Sequence, residues 1–206
     1  MITDQLNPAY LDFWAFIKDR YLPASRPEPG IGSLDGGKAA YRFLVQHFTT
    51  TDLSPEAINQ IGLDEVARIR SEMEGVIAEV GFDVELSAFN DFLRTAPQFY
   101  YDTAEELLEG YQAVAKRLDP ELVKLFGKLP RIPYGVRPIP DEIAPYTTTA
   151  YYMPPTPDGK RPGWYYVNLY KPEVRPKFEM EVLSVHESVP GHHLQIALAG
   201  ELTDLP

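Results

Sequence analysis

Apolar residues recur at helical spacing through the first half of the chain. From Asn7 to Leu22 they fall at steps of three and four after an Asn-Pro start, which predicts an amphipathic helix capped by Asn7. Thr103 and Glu106 match a reciprocal capping box at the start of another helix. The same spacing predicts further helices at 41–48, from 54 onward, at 63–80, at 85–94 and from 104 to about 118.

The second half of the chain differs because it is rich in proline. Of the 20 prolines, 11 fall between Leu129 and Pro176, a density that long helices and central strands do not tolerate. We predict an internal boundary here. A helical region covers 1–128, a proline-rich segment with strands and a histidine-bearing helix covers 129–206, and both are parts of one larger domain.

Two short segments in the proline-rich part are typical of strands. Residues 147–153 and 164–169 are rich in Thr, Tyr and Val, and an Asp-Gly turn pair lies between them. This pattern predicts a two-stranded hairpin. The predicted fold class is therefore mainly α with a small β-hairpin.

Composition narrows the range of functions. Hydrophobic residues make up 44% of the chain, which excludes wholesale disorder. The net charge of -11 would repel a phosphate backbone, so nucleic acid is not an expected partner. No apolar run reaches the roughly 18 to 20 residues of a membrane span, and the first residues do not form an export signal. Localisation stays open, with the cytoplasm as the default unless the native N-terminus precedes Met1.

Three of the four histidines lie within eight residues near the end of the chain. They are His186, His192 and His193, and they follow a helical pattern that begins at Arg175. In zinc hydrolases, the motif H-E-x-x-H places two imidazoles on one helical face and a glutamate beside the water of the metal. His186 opens such a motif, but Pro190 stands where the second histidine belongs. With a cysteine count of 0, any metal here takes nitrogen and oxygen ligands.

Leaving out Pro190 and Gly191 restores the metal spacing. We predict that these two residues loop out of a kinked helix, so that His186 and His192 become the ligands of one zinc ion. In an unbroken helix, His186 and His193 would stand about 10.5 Å apart along the axis, so His193 ranks behind His192. His193 remains an alternate ligand, a residue that binds the developing oxyanion, or one that hydrogen-bonds to a neighbour.

The predicted chemistry is amide-bond hydrolysis of a peptide substrate. A zinc ion would lower the pKa of its water to about 7 and polarise a substrate carbonyl, while Glu187 would act as the general base. Tyr152, Tyr166 and Asn168 of the hairpin are candidates for lining a substrate cleft, and packing within the hairpin is an equal alternative. His47 lies apart from the cluster and is expected to be structural.

The segment from His186 to Gln195 resembles the signature of the bacterial domain-of-unknown-function-885 proteins. Five further segments resemble that family in the same order: 129–136, 150–152, 161–163, 166–168 and 175–177. The resemblance implies a helical zinc-dependent peptidase-like protein of the gluzincin type, similar in fold to thermostable carboxypeptidases and oligopeptidases. It further implies that His186 and His192 are ligands, that Glu187 is the base, and that a later helix supplies a glutamate ligand.

Members of that family are much longer than this chain. Glu201 and Asp204 are the acids that follow the histidines, and neither lies on a second helix able to fold back. We therefore expect a fragment that is weakly active or inactive, with the third zinc ligand outside it. The alternative is a non-catalytic helical module that binds peptides or partners and keeps its histidines for structure. Exopeptidase or endopeptidase preference and oligomeric state stay open.

Overall fold

In the computed structural model, which describes residues 2–202, the chain is mainly helical with a small three-stranded sheet. The predicted mainly-α class is confirmed. Contacts divide the chain into two compact units, Met1–Val76 and Ile77–Pro206. The change of composition near residue 128 falls inside the second unit, and the boundary drawn there stays a prediction.

The first unit is helical, with the following α-helices: α1 (Asn7–Phe16), α2 (Leu22–Ala24), α3 (Gly37–Thr49) and the greater part of α4 (Pro55–Glu79). Helical backbone covers the predicted range 7–22, with a π-helical turn at Ile17–Tyr21 inside it, and it continues beyond that range at Ile2–Leu6 and as far as Ala24. Asn7 is therefore inside helical backbone and does not cap it. Among the described residues of this unit, Gly37 alone is buried. His47 contacts neighbouring aromatic rings on α3, as its structural interpretation expects.

The second unit contains the end of α4 and four further helices: α5 (Leu86–Thr95), α6 (Ala104–Leu118), α7 (Lys177–Glu187) and α8 (His192–Gly200). The predicted capping box at the start of α6 is present. The side-chain oxygen of Thr103 accepts a bond of 3.2 Å from the N–H of Glu106, and the carboxylate of Glu106 accepts one of 3.3 Å from the N–H of Thr103. Two backbone donors of the first turn are satisfied in this way.

The sheet has three strands in the order β1-β3-β2, where β1 is Tyr134–Pro138, β2 is Ala150–Met153 and β3 is Gly163–Val167. β2 and β3 pair antiparallel and correspond to the predicted hairpin. β1 was not predicted, and it pairs parallel with β3. It is an edge strand, where a terminal proline costs no ladder hydrogen bond.

The main core lies where β3 packs against α6 and α7, which also contact each other. Tyr165 and Val167 of β3 are fully buried against Leu107 and Tyr111 of α6 and Met180 of α7. The rings of Tyr111 and Tyr165 meet edge to face with centroids 5.9 Å apart. Each large apolar side chain buried in this way contributes roughly 1.5–3 kcal/mol. This packing fixes α7, and thus the start of the histidine segment, against the sheet.

Candidate metal centre

The histidine segment is divided between two helices. The sequence predicted one kinked helix with two residues looped out, whereas α7 ends at Glu187 and α8 begins at His192 after a turn over 188–191. The N–H of Gly191 donates to the carbonyl oxygen of Val185 at 2.9 Å, so the turn folds back on the last turn of α7. The structure thus has a break between two helices where the sequence predicted a bulge in one helix. The hydrogen bond from Gly191 to Val185 still keeps the start of α8 close to the end of α7.

Gly191 makes the return possible. A Cβ atom built at this position would lie 1.9 Å from the carbonyl oxygen of His186 and 2.4 Å from that of Val185. No side chain fits at such distances. The glycine was singled out in the sequence as a helix breaker, and the structure adds that it is also a point of close backbone approach.

His186, Glu187 and His192 form a cluster at this turn. One ring nitrogen of each histidine and one carboxylate oxygen of Glu187 lie within 4.8 Å of one another. The two imidazole rings are nearly perpendicular, with centroids 4.8 Å apart, and Nε2 of His192 lies 3.8 Å from Oε2 of Glu187. A tetrahedral zinc ion holds its ligand atoms about 3.4 Å apart, so small side-chain rotations would bring this set to metal-binding distances.

Burial differs within the cluster. His186 is exposed, His192 is partly exposed, and Glu187 is only 8% exposed. The carboxylate thus lies on the protein side and the imidazoles face outward. This arrangement leaves the two imidazoles accessible to solvent, with the carboxylate of Glu187 behind them.

His193 lies outside the cluster. Its side chain is 2% exposed, and both of its ring nitrogens have partners. Nε2 lies 3.1 Å from the carbonyl oxygen of Ile132, and Nδ1 lies 2.8 Å from the hydroxyl of Tyr152. Because a carbonyl only accepts, Nε2 carries the proton, and Nδ1 accepts from Tyr152. Burial lowers the pKa of His193, with the bond to Ile132 opposing it.

Tyr152 connects His193 to the cluster. Its ring lies nearly parallel to that of His192, with centroids 6.3 Å apart. Burial raises the pKa of Tyr152 to about 12, so its hydroxyl keeps its proton at neutral pH. Gly163 leaves room for the pair, since a Cβ there would lie 2.3 Å from the Tyr152 hydroxyl and 2.8 Å from Nδ1 of His193. Tyr152 thus lies beside the cluster, and its role in a substrate cleft stays a prediction.

Tyr166 and Asn168 lie elsewhere. Tyr166 faces Tyr151 across the hairpin with stacked rings 4.8 Å apart, whereas Tyr152 is opposite Tyr165, so Tyr166 occupies the other face of the sheet. Asn168 is fully buried, and its amide nitrogen donates to two carbonyl oxygens at 2.8 and 3.0 Å. For both residues the geometry favours the packing alternative that the sequence left open.

No further acid joins the cluster among residues 2–202. The carboxylate of Glu201 accepts from the backbone N–H of Arg131 at 2.6 Å and from Nε of the same residue at 3.1 Å. These bonds hold the pKa of Glu201 below its usual range. Asp204, the other acid considered from the sequence, lies outside the described residues.

Sequence reasoning did not find the contacts that surround His193. The carbonyl of Ile132 and the glycine at 163 come from segments 61 and 30 positions before His193. No local pattern reports such distant contacts. The Arg-Pro-Gly segment that ends at Gly163 was noted only for its family resemblance, and the structure supplies a physical reason for its glycine.

The fold and cluster define a mainly helical protein with a His-Glu-His group at a helix break, and the comparisons with known proteins identify its family. The chain belongs to the family described as bacterial protein of unknown function (DUF885), which it matches over residues 1–206. No curated protein matches it. Within residues 2–202, the helices are too short or too polar to cross a bilayer.

One solved structure is similar over nearly the whole chain. It is described as "the putative lipoprotein from Colwellia psychrerythraea" and shares 31% sequence identity with this chain, with a TM-score of 0.83. The match covers 97% of this chain and 35% of that one. The chain therefore spans about a third of the length of this similar protein.

Proposed function

We propose that the protein is a zinc-dependent, peptidase-like hydrolase that cleaves amide bonds by the activation of water. His186 and His192 hold the metal, and Glu187 is the general base. The observation that carries this proposal is a distance. One ring nitrogen each of His186 and His192 and one carboxylate oxygen of Glu187 lie within 4.8 Å of one another across the turn between α7 and α8. A zincin-like fold of the gluzincin type is part of the same proposal.

The donor set fits zinc. Two imidazoles are ordinary zinc ligands, the carboxylate of Glu187 stands beside them as a base, and a catalytic site uses three protein ligands with one open position. When bound, zinc supplies a Lewis acid that acidifies water and polarises a carbonyl. We propose that the third ligand comes from sequence beyond the described residues, since Glu201 is bonded to Arg131.

The side chains around the cluster have separate roles in this proposal. Glu187 accepts a proton from the attacking water and passes it to the leaving amine. Its low exposure, 8%, keeps the carboxylate in one place behind the two imidazoles. Tyr152 packs beside His192 and is fixed by its bond to His193, so these two residues position a ligand and are not ligands themselves.

The match to a longer protein bears on what this chain can do by itself. With the third ligand outside it, the 206-residue chain binds zinc weakly and turns over little or nothing.

The substitution Glu187→Gln in the full-length protein tests the proposal. It removes the base but keeps the shape of the side chain, so zinc content should be retained while peptide cleavage falls by about 10²–10⁴-fold. Glu181→Gln is the matched control, because Glu181 lies on the same helix with a largely exposed side chain. Unchanged cleavage in Glu187→Gln would exclude Glu187 as the base.

A second candidate is a non-catalytic module that binds peptides or partner proteins. The exposed apolar side chains of α1 and α3 favour it, including Trp14, which is 60% exposed, and Phe48, which is 78% exposed. On this alternative, the wild-type protein would bind peptides without cleaving them at any zinc concentration.

A further inference from the structure

A groove of about 640 Å³ runs along α8 in the second unit. Its volume lies in the range of about 300–1,000 Å³ that is typical of small-ligand pockets. One wall is the segment around Ile132 and Pro133, the second is the loop after β2 with Pro155 and Thr156, and the third is the α8 face with Ile196 and Gly200. We call it the α8 groove.

The nearest α8 residue of the groove, Ile196, lies one helical turn from the cluster of His186, Glu187 and His192. Ile196 follows His192 by four positions in α8, so the two side chains lie on the same helical face, one turn or about 6 Å apart. The loop wall continues from β2, whose Tyr152 packs beside His192. A substrate bond held at the cluster would therefore have its neighbouring residue at the mouth of the groove.

The lining of the groove favours an apolar ligand group. Its charged lining residues, Arg131 and Glu201, are bonded to each other. The hydroxyl of Thr156 already accepts from the N–H of Arg161 at 3.0 Å. A charged side chain placed here would lose hydration without gaining an unpaired opposite charge from this lining, whereas an apolar one is stabilised by the apolar surface that it buries.

We propose that the α8 groove binds the apolar side chain of the substrate residue next to the bond that is cleaved. The protein then selects peptides with a large apolar residue, such as leucine, at that position. This inference rests on the proposed function, because it places the apolar residue next to a bond that the protein cleaves. The binding itself needs neither zinc nor turnover.

Gly200 offers a way to fill the groove without disturbing the fold. It lines the far end of the groove, and a Cβ at this position meets no atom within 4 Å. Gly75 of α4 is a matched control, since a Cβ there also meets nothing within 4 Å and the residue lies in a helix. Replacing either glycine by leucine favours the helical state, so neither variant should unfold.

The test measures binding of N-acetyl-leucinamide and N-acetyl-glycinamide to the full-length Glu187→Gln protein, with NMR detection of the Ile196 methyl groups. We expect the leucine compound to shift the Ile196 signals and to bind at least about tenfold more tightly than the glycine compound. Gly200→Leu should abolish this preference, and Gly75→Leu should retain it. Equal binding of the two compounds, or an unchanged preference in Gly200→Leu, would overturn the proposal.

A parallel assay separates this inference from the proposed function. Wild-type protein with zinc is given peptides that differ only in one residue, Leu, Gly or Asp, beside the bond that is cleaved. Suppose that N-acetyl-leucinamide binds, that Gly200→Leu abolishes this binding, and that no peptide is cleaved. This result would support the proposed groove and contradict the proposed hydrolase. Cleavage without preference for Leu would support the hydrolase and overturn the groove.

Discussion

The two adjacent histidines at the start of α8 have different surroundings. His192 is partly exposed and lies with His186 and Glu187 in the cluster, whereas His193 is buried between the hydroxyl of Tyr152 and the carbonyl of Ile132. Successive residues of a helix point about 100° apart, so α8 places one imidazole in the proposed metal centre and the other in the interior. On this proposal, His193 supports the ligand His192 from behind.

Tyr152→Phe tests this support. It removes the donor to Nδ1 of His193 and leaves a buried nitrogen without its partner, which should lower the free energy of unfolding by about 1–3 kcal/mol. The same change at Tyr151, on the opposite face of the sheet, should stay within about 0.5 kcal/mol. Urea denaturation of both variants gives the comparison. Equal stability of the two would mean that the bond to His193 contributes nothing.

At the scale of elements, the break between α7 and α8 is what assembles the cluster. Spacing alone indicated that His186 and His192 could share a metal, and the structure does bring them together, with ring centroids 4.8 Å apart. The role of the turn was harder to predict. Its backbone folds onto the end of α7, and such a contact depends on φ and ψ values that the residue types only restrict.

Gly191→Ala tests the importance of this turn. The added methyl group meets the carbonyl oxygen of His186 at 1.9 Å, so the turn must open, and we expect a loss of about 1–3 kcal/mol in the free energy of unfolding together with weaker zinc binding. Gly75→Ala, in an open helical position, should be neutral or stabilising by up to about 1 kcal/mol. Thermal or urea unfolding measures both. A Gly191→Ala protein as stable as Gly75→Ala would contradict the close approach described here.

The sequence predicted the helices better than the sheet. Helical periodicity and the capping box at Thr103 depend on residues only three or four positions apart. β1 is different, because it is five residues long, ends at Pro138 and pairs parallel with a strand 29 positions later. Nothing in its own composition indicates that partner. The contacts of Ile132 and Gly163 with His193 could not be predicted from the sequence for the same reason, because these residues also lie far apart along the chain.

At the scale of the molecule, the two units differ in how much they bury. The second unit has a core around Tyr165 and Val167. It also contains the cluster of His186, Glu187 and His192 and the α8 groove. In the first unit, most large apolar side chains are exposed. An apolar surface of this kind is typical of interfaces, which agrees with a chain that spans 35% of the similar structure.

Zinc affinity of the full-length protein tests the central claim most directly. Competition with a chromophoric chelator should give one zinc ion per wild-type chain. His186→Ala and His192→Ala should each weaken binding by at least about 100-fold, because they remove ligands. His193→Ala should weaken it by about tenfold or less, since this residue acts only through Tyr152 and His192. Unchanged affinity in His192→Ala, or a larger loss in His193→Ala than in His192→Ala, would contradict the proposed metal centre.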